Sequence, residues 1–160
     1  IAKFAAAGKV QAKKNLGLMQ MQYKNVYVAY VSMGTNPAAT VKAFNEAENY
    51  NGPAIIIAYA HCIEQGLLTK TGPAHQKAAV DSVHFPLWTY NPTTGKLKLD
   101  SADKSDTVSF AKNAISKELG ENRFKQLVKK VGPEKAEQML QTAEQGFKEN
   151  YALLKKLSEM

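Results

Sequence analysis

Cysteine is almost absent from this sequence of 160 residues, in which Cys62 is the single thiol. One cysteine cannot form an internal disulfide, so a disulfide scaffold is excluded, and the composition predicts a cytoplasmic, reducing environment. Long apolar runs are also absent, since no segment approaches the roughly 18 residues of a membrane span. With only 10 Gly and 6 Pro, collagen and low-complexity chains are excluded. The sequence therefore predicts a soluble globular protein of about one domain.

Acidic residues are missing from the first 45 positions, which hold six lysines, whereas residues 101–160 carry a nearly balanced set of charges. The whole chain has a formal net charge of +7. A concentrated positive field attracts phosphate, nucleic acid or an acidic protein. Nucleic acid is the weakest of these partners, because no arginine precedes Arg123 and no aromatic stacking motif accompanies the lysines. The early lysines are Lys3, Lys9, Lys13, Lys14, Lys24 and Lys42.

The first residue is Ile1 rather than Met, and no signal-peptide pattern follows it. This start predicts a processed chain or a piece of something longer.

Two continuous β-branched and aromatic runs, at residues 26–31 and 54–59, are typical of strands covered on both faces. Between them, Asn36 as N-cap and Pro37 as first helical residue predict a helix that ends near Asn49. Together these elements form a βαβ unit, which predicts two parallel strands. Ahead of them, the Ala-rich residues 1–7 with Gly8 predict a helix end, and a basic polar stretch follows.

The remainder of the chain predicts a loop at residues 60–71, a helix at 73–83 and a short hairpin at 87–90 and 96–100. Beyond Asp100, apolar residues recur at helical spacing, and Gly120 and Gly132 separate three predicted helices. The aromatic residues Tyr27, Tyr30, Phe44 and Tyr59 are assigned to the core, as is a stripe of Met139, Phe147 and Tyr151. The fold class is thus α/β, a partial parallel sheet followed by a helical tail.

Ligand sites in open α/β sheets lie beyond the carboxyl ends of parallel strands, and Cys62 follows the second predicted strand. Three interpretations of the thiol remain open from pattern alone. It is a small buried hydrophobe, a nucleophile that would need His75 or His84 as its base, or a metal ligand. A self-contained zinc site is disfavoured, because one Cys and three scattered His lack the paired spacings of a tetrahedral centre. The turns at Gly8 and at residues 33–36 offer backbone donors for phosphate without matching a known fingerprint.

Several short blocks, in order and with matching gaps, resemble the pyruvate:ferredoxin (flavodoxin) oxidoreductase family. They are residues 1–9 (IAKFAAAGK), 26–29 (VYVA), 33–36 (MGTN), 42–44 (KAF), 46–48 (EAE), 52–54 (GPA), 56–63 (IIAYAHCI) and 90–92 (YNP). The resemblance implies that residues 1–100 are the C-terminal half of a thiamine-diphosphate-binding α/β module. Residues 101–160 would then be a helical C-terminal extension packed on it.

The resemblance also implies function: oxidative decarboxylation of pyruvate to acetyl-coenzyme A, with electrons passed through 4Fe-4S clusters to ferredoxin or flavodoxin. In the family, the cysteine that matches Cys62 completes the ligand set of the cluster nearest the thiamine. The motif for magnesium and the diphosphate and the paired cysteines of the clusters are not in this sequence. The resemblance therefore implies a piece of a homodimeric enzyme that is inactive alone, without membrane or nucleic-acid partners. It also suggests that the early lysines steer an acidic electron acceptor.

Two departures from the family pattern stand out. An aromatic pair and an arginine before the Tyr-Asn-Pro block are replaced by residues 84–89 (HFPLWT), and Glu64 and Gln65 replace a commoner pair after the cysteine. The alternative to the enzyme is a non-enzymatic interaction module that uses the basic N-terminal region as a docking face.

Overall fold

A computed structural model describes residues 14–160, and the predicted helix end at residues 1–8 lies outside them. The chain runs through α1 (Leu16–Met21), β1 (Tyr27–Val31), α2 (Pro37–Asn49), β2 (Ala54–Ala58), α3 (Gly72–Asp81), β3 (Trp88–Asn91), β4 (Lys96–Leu99), α4 (Phe110–Ile115), α5 (Asn122–Val131) and α6 (Pro133–Ser158). Two single 3₁₀ turns, Ile63–Gln65 and Thr69–Thr71, interrupt the predicted loop between β2 and α3. No helix within residues 14–160 is long and apolar enough to cross a membrane.

The four strands form one mixed sheet in the order β2-β1-β3-β4. The β1 and β2 strands are parallel, with Tyr27 opposite Ala54 and Val31 opposite Ala58, which confirms the parallel pair of the βαβ unit. The predicted hairpin, β3 and β4, joins this sheet antiparallel to β1. The α/β class is confirmed, with a mixed sheet rather than an all-parallel one.

Helices cover both faces of β1, because successive side chains of a strand point to opposite sides of the sheet. On one face, Val28 packs with Trp88 and with Leu154 of α6, and Leu18 and Met21 of α1 lie against the same cluster. On the other face, Tyr27, Ala29 and Val31 pack against Ala43 of α2. The prediction that β1 is covered on both faces is therefore confirmed.

The second predicted strand differs from its prediction. Ala54 and Ala58 of β2 are exposed and the three isoleucines between them are half-buried, because β2 is an edge strand with a neighbour on one side only. A continuous apolar run does not by itself distinguish a central strand from an edge strand.

A short helix, α1, which the sequence pattern does not predict, lies within the basic polar stretch before β1. The side chain of Asn15 caps it by accepting a hydrogen bond from the backbone N–H of Leu18 at 3.0 Å. A Cβ added to Gly17 would stand 2.3 Å from a ring carbon of Tyr30, so the helix approaches the sheet at its glycine. Tertiary packing of a six-residue helix outweighs its weak sequence pattern.

The three predicted C-terminal helices are confirmed as α4, α5 and α6. Phe110, Ala114 and Leu140 form their own apolar cluster, against which Phe124 and Phe147 pack. The long α6 helix also inserts Leu154 into the core of the sheet, where the side chain is fully buried.

Candidate functional site

The two segments that follow the parallel strands meet at one edge of the sheet. The ends of β1 and β2 are level, and the backbone N–H of Tyr59 continues the pairing by donating to the carbonyl of Val31 at 2.9 Å. Residues 32–36 therefore lie beside the segment that contains His61 and Cys62. This is the edge at which open α/β sheets bind their ligands.

The buried side chain of Gln76, on α3, joins these two segments. Its Oε1 accepts hydrogen bonds from the hydroxyl of Ser32 and from the backbone N–H of Gly34, both at 2.8 Å. Because a backbone N–H can only donate, this contact identifies the amide oxygen and leaves Nε2 to face His61. The distance from Nε2 to Nδ1 of His61 is 3.0 Å. The ends of both strands are thus tied to a single residue of α3.

The imidazole of His61 is held in one orientation. Its Nδ1 accepts from the Gln76 amide, so in the neutral ring the proton is on Nε2. The ring also lies directly on Gly72 at the start of α3, where an added Cβ would be 2.3 Å from Nε2. Only a glycine leaves room for the ring at this place.

Cys62 is exposed, in an extended conformation, immediately before the 3₁₀ turn Ile63–Gln65. The interpretation of the thiol as a small buried hydrophobe is therefore wrong. Within residues 14–160, no group of three or more His, Cys, Asp and Glu side chains could hold a metal ion. The thiol of Cys62 is therefore accessible from outside the described part of the chain.

The loop containing Cys62 also contacts the C-terminal helices. The buried Gln65 side chain accepts a hydrogen bond from the backbone N–H of Arg123, in the first turn of α5, at 3.1 Å. Gly66 follows with a φ of 81°, and a Cβ there would stand 2.7 Å from the Asn122 side chain. The turn after the cysteine therefore fits closely against the start of α5.

A second group of polar side chains is buried behind this edge. His75 of α3 must donate from Nδ1 to the carbonyl of Leu119 at 2.9 Å, since a carbonyl only accepts, and its Nε2 lies 2.9 Å from the Tyr59 hydroxyl. Oε1 of Glu121 is 3.4 Å from the same Nε2. The pKa of Tyr59 is raised mainly by burial and to a lesser extent by the negative charge of Glu121, so the phenol stays protonated.

The carboxylate of Glu121 stays ionised despite its burial. Desolvation alone would raise its pKa, but the contact with His75 and the charge of Arg123 outweigh desolvation and hold the pKa below the usual range. Nε of Arg123 is 2.5 Å from Oε2, but its N–H is not aligned for a hydrogen bond, so this contact is an ion pair. This cluster joins α3 to the segment before α5.

These positions bear on the nucleophile hypothesis. His75 is engaged with Leu119 and Tyr59, and His84 packs against Phe110 and Phe147. These contacts join both imidazoles to groups other than the thiol of Cys62.

The basic N-terminal region that was predicted as a docking face lies only partly within the described residues. Lys14 and Lys24 are exposed, and Lys42 forms an ion pair with Glu46 at 3.6 Å. Lys3, Lys9, Lys13 and the Gly8 turn lie outside the described residues.

The sequence assigns Phe44 to the core, but its side chain on α2 is 54% exposed, so that assignment is wrong.

The roles of Gln65, Gln76 and Glu121 were not predicted from the sequence. Each is a buried polar residue held by partners distant along the chain, and a single sequence shows no such pairing. Only Gln76 has a signal in the sequence. It stands three and four positions before the apolar Ala79 and Val80 in the predicted helix 73–83, which places it on the same buried face.

Comparison with known proteins identifies close relatives over nearly the whole chain, although no protein-family model matches it. The chain is 47% identical over 147 residues to a pyruvate-flavodoxin oxidoreductase of Nostoc sp., a match that covers 90% of the chain and 12% of that protein. It is 43% identical over 162 aligned residues to the pyruvate:ferredoxin oxidoreductase of Moorella thermoacetica, covering 99% of the chain and 13% of that protein. A mitochondrial pyruvate dehydrogenase [NADP(+)] of Euglena gracilis is 49% identical over 110 residues.

The chain spans about an eighth of the length of the first two relatives. The relatives belong to the same family that the ordered sequence blocks resemble, and the matches cover 90% or more of the chain. This chain belongs to the family of pyruvate-flavodoxin and pyruvate:ferredoxin oxidoreductases.

Proposed function

We propose that this chain is one part of an enzyme that oxidatively decarboxylates pyruvate to acetyl-coenzyme A, and that Cys62 supplies one thiolate to a 4Fe-4S cluster of that enzyme. The observation that carries the proposal is the position of the thiol. Cys62 is exposed on the loop that leaves a parallel strand at the ligand-binding edge of the sheet. The names of the relatives, pyruvate-flavodoxin and pyruvate:ferredoxin oxidoreductase, support the substrate and the acceptors.

Iron is bound by the deprotonated sulfur of cysteine, and an exposed thiol on a short loop can reach a cluster held by other segments. The three remaining thiolates would come from outside this chain, because Cys62 is its only cysteine. Thiamine diphosphate with magnesium supplies the decarboxylation chemistry, and the clusters carry the electrons to ferredoxin or flavodoxin. The residues of this chain contribute a ligand and the scaffold that presents it.

The cofactor-anchoring segments belong to the rest of the enzyme, so we expect the 160-residue chain to show no turnover alone. The complete protein would work as a cytoplasmic homodimer with coenzyme A as its acyl acceptor. Family membership favours this proposal over a non-enzymatic interaction module.

Replacement of Cys62 in the complete enzyme tests the proposal. The variants Cys62→Ser and Cys62→Ala remove one of four thiolates, which should lower the iron content and change the electron paramagnetic resonance signal of the reduced clusters. Decarboxylation that precedes electron transfer should persist in part. Ile63→Ala is the matched control, because Ile63 is the next residue and is 62% exposed. An unchanged cluster spectrum in both cysteine variants would contradict the ligand role.

A further inference from the structure

The loop that carries Cys62 is held on both sides of the cysteine by hydrogen bonds to two buried glutamine side chains. His61, one residue before it, and Gln65, three residues after it, are fixed by partners on other elements. Between these two anchors, residues 62–64 are exposed. A short exposed segment with both ends anchored has few conformations to explore, so the thiol is presented in a narrow range of positions.

The anchor before the cysteine is Gln76, which is 8% exposed. Its oxygen accepts from the fully buried Ser32 and from Gly34, and its nitrogen donates to His61. The bond to His61 therefore starts from an amide that is itself fixed on two further sides. Loss of the amide would leave the Ser32 hydroxyl and the Gly34 N–H with one acceptor fewer.

The anchor after the cysteine is Gln65, which is 5% exposed. The first turn of a helix leaves backbone N–H groups without intrahelical partners, and Glu121, the N-cap of α5, makes no side-chain capping bond. Gln65 supplies the missing acceptor by bonding the N–H of Arg123. The cysteine loop thus caps α5, and α5 in return fixes the loop.

We propose that Gln65 and Gln76 are positioning residues for Cys62, which clamp its loop between α3 and α5 so that the thiolate meets the cluster in one geometry. The inference rests on the proposed ligand role of Cys62. It gives the C-terminal helices a part in electron transfer, because the potential of a cluster depends on ligand geometry, nearby hydrogen bonds and solvent access.

The test uses the complete oxidoreductase with Gln65→Leu and Gln76→Leu, and Gln138→Leu as matched control on the exposed side of α6. Amide hydrogen exchange in residues 61–66 should accelerate about tenfold in the first two variants, the ratio for one lost hydrogen bond of ordinary strength. Iron content should be retained, while the midpoint potential and the resonance line shape of the cluster nearest the thiamine shift. The control should match the parent enzyme in all of these measurements.

A conservative variant separates the hydrogen bond from general packing. In Gln65→Glu, a carboxylate oxygen can still accept from the Arg123 N–H, so slow exchange should be restored. If the leucine variants fail to fold, Gln65→Asn, shorter by one methylene, should show the same acceleration on a smaller scale.

Two results would overturn the inference. One is exchange at the parental rate in both leucine variants, and the other is faster exchange with an unchanged potential and spectrum. Exchange does not depend on which residue binds iron. An unchanged cluster in Cys62→Ser, together with accelerated exchange in Gln65→Leu, would therefore overturn the proposed ligand role and leave the clamp itself in place.

Discussion

At the scale of single residues, Glu121 makes stability depend on pH. Its pKa in the folded chain lies below the ordinary carboxyl value of about 4.3. The stabilisation from this group is therefore complete above the ordinary value. As the pH falls below that value, the carboxyl of the unfolded chain binds its proton first, and the stabilisation decreases. It is fully lost once the pH is below the lowered pKa of the folded chain.

We predict that Glu121→Gln lowers the free energy of unfolding by about 1–3 kcal/mol at pH 7, because His75 and Arg123 lose the charged carboxylate that they contact. Below pH 5 the parent chain should lose more stability than the variant, so the two curves converge. Urea denaturation between pH 7 and pH 3 measures this. Glu48→Gln, on the exposed side of α2, is the control and should keep the parental slope. Parallel curves for Glu121→Gln and the parent would contradict the assignment.

At the scale of elements, the contact between the cysteine loop and α5 depends on Gly66. Gly66 and Gly95 both have a left-handed backbone, with φ of 81° and 66°, but their surroundings differ. An added Cβ meets the Asn122 side chain at Gly66 and meets nothing within 4 Å at Gly95. The two glycines therefore separate the cost of backbone conformation from the cost of the interface.

We predict that Gly95→Ala costs about 1–2 kcal/mol of unfolding free energy, the ordinary penalty for a left-handed L-residue. Gly66→Ala should cost about 0.5–1.5 kcal/mol more, because its methyl group must push the end of the Asn122 side chain off its rotamer. Equilibrium denaturation of both variants gives the difference. Equal losses would show that the loop does not press against α5.

At the scale of the whole molecule, α6 connects the helical segment 101–160 to the sheet. Leu154 is fully buried against Val28 and Trp88, whereas Leu153, its neighbour on the same helix, is 46% exposed. We predict that Leu154→Ala lowers the free energy of unfolding by about 2–5 kcal/mol, because it leaves a cavity in the core. Leu153→Ala should change it by less than about 0.5 kcal/mol.

The single tryptophan makes this test specific, because Trp88 belongs to the same cluster as Leu154. Its fluorescence reports the core of the sheet, and far-ultraviolet circular dichroism reports mainly the helices. Coincident transitions in the 160-residue chain would support one cooperative unit. A helical transition that precedes the fluorescence change would instead show that residues 101–160 unfold separately.

The sequence alone predicts the elements whose signals are local. The parallel strands, the capped helix α2, the hairpin and the three closing helices follow from apolar periodicity, N-caps, prolines and glycines, which act over a few residues. It also brought Cys62 to the carboxyl edge of the sheet, since that position depends only on chain order and on the parallel direction of β1 and β2.

The side chains around that edge are brought together only when the chain folds. Gln65 and Arg123 are 58 positions apart, and Ser32 and Gln76 are 44 apart, so no local pattern pairs them. The exposure of β2 also depends on packing, because edge strands and central strands use the same apolar residues. The short helix α1 likewise forms through its packing on the sheet. Burial and hydrogen bonding are properties of neighbours in space, and a single sequence specifies neighbours only along the chain.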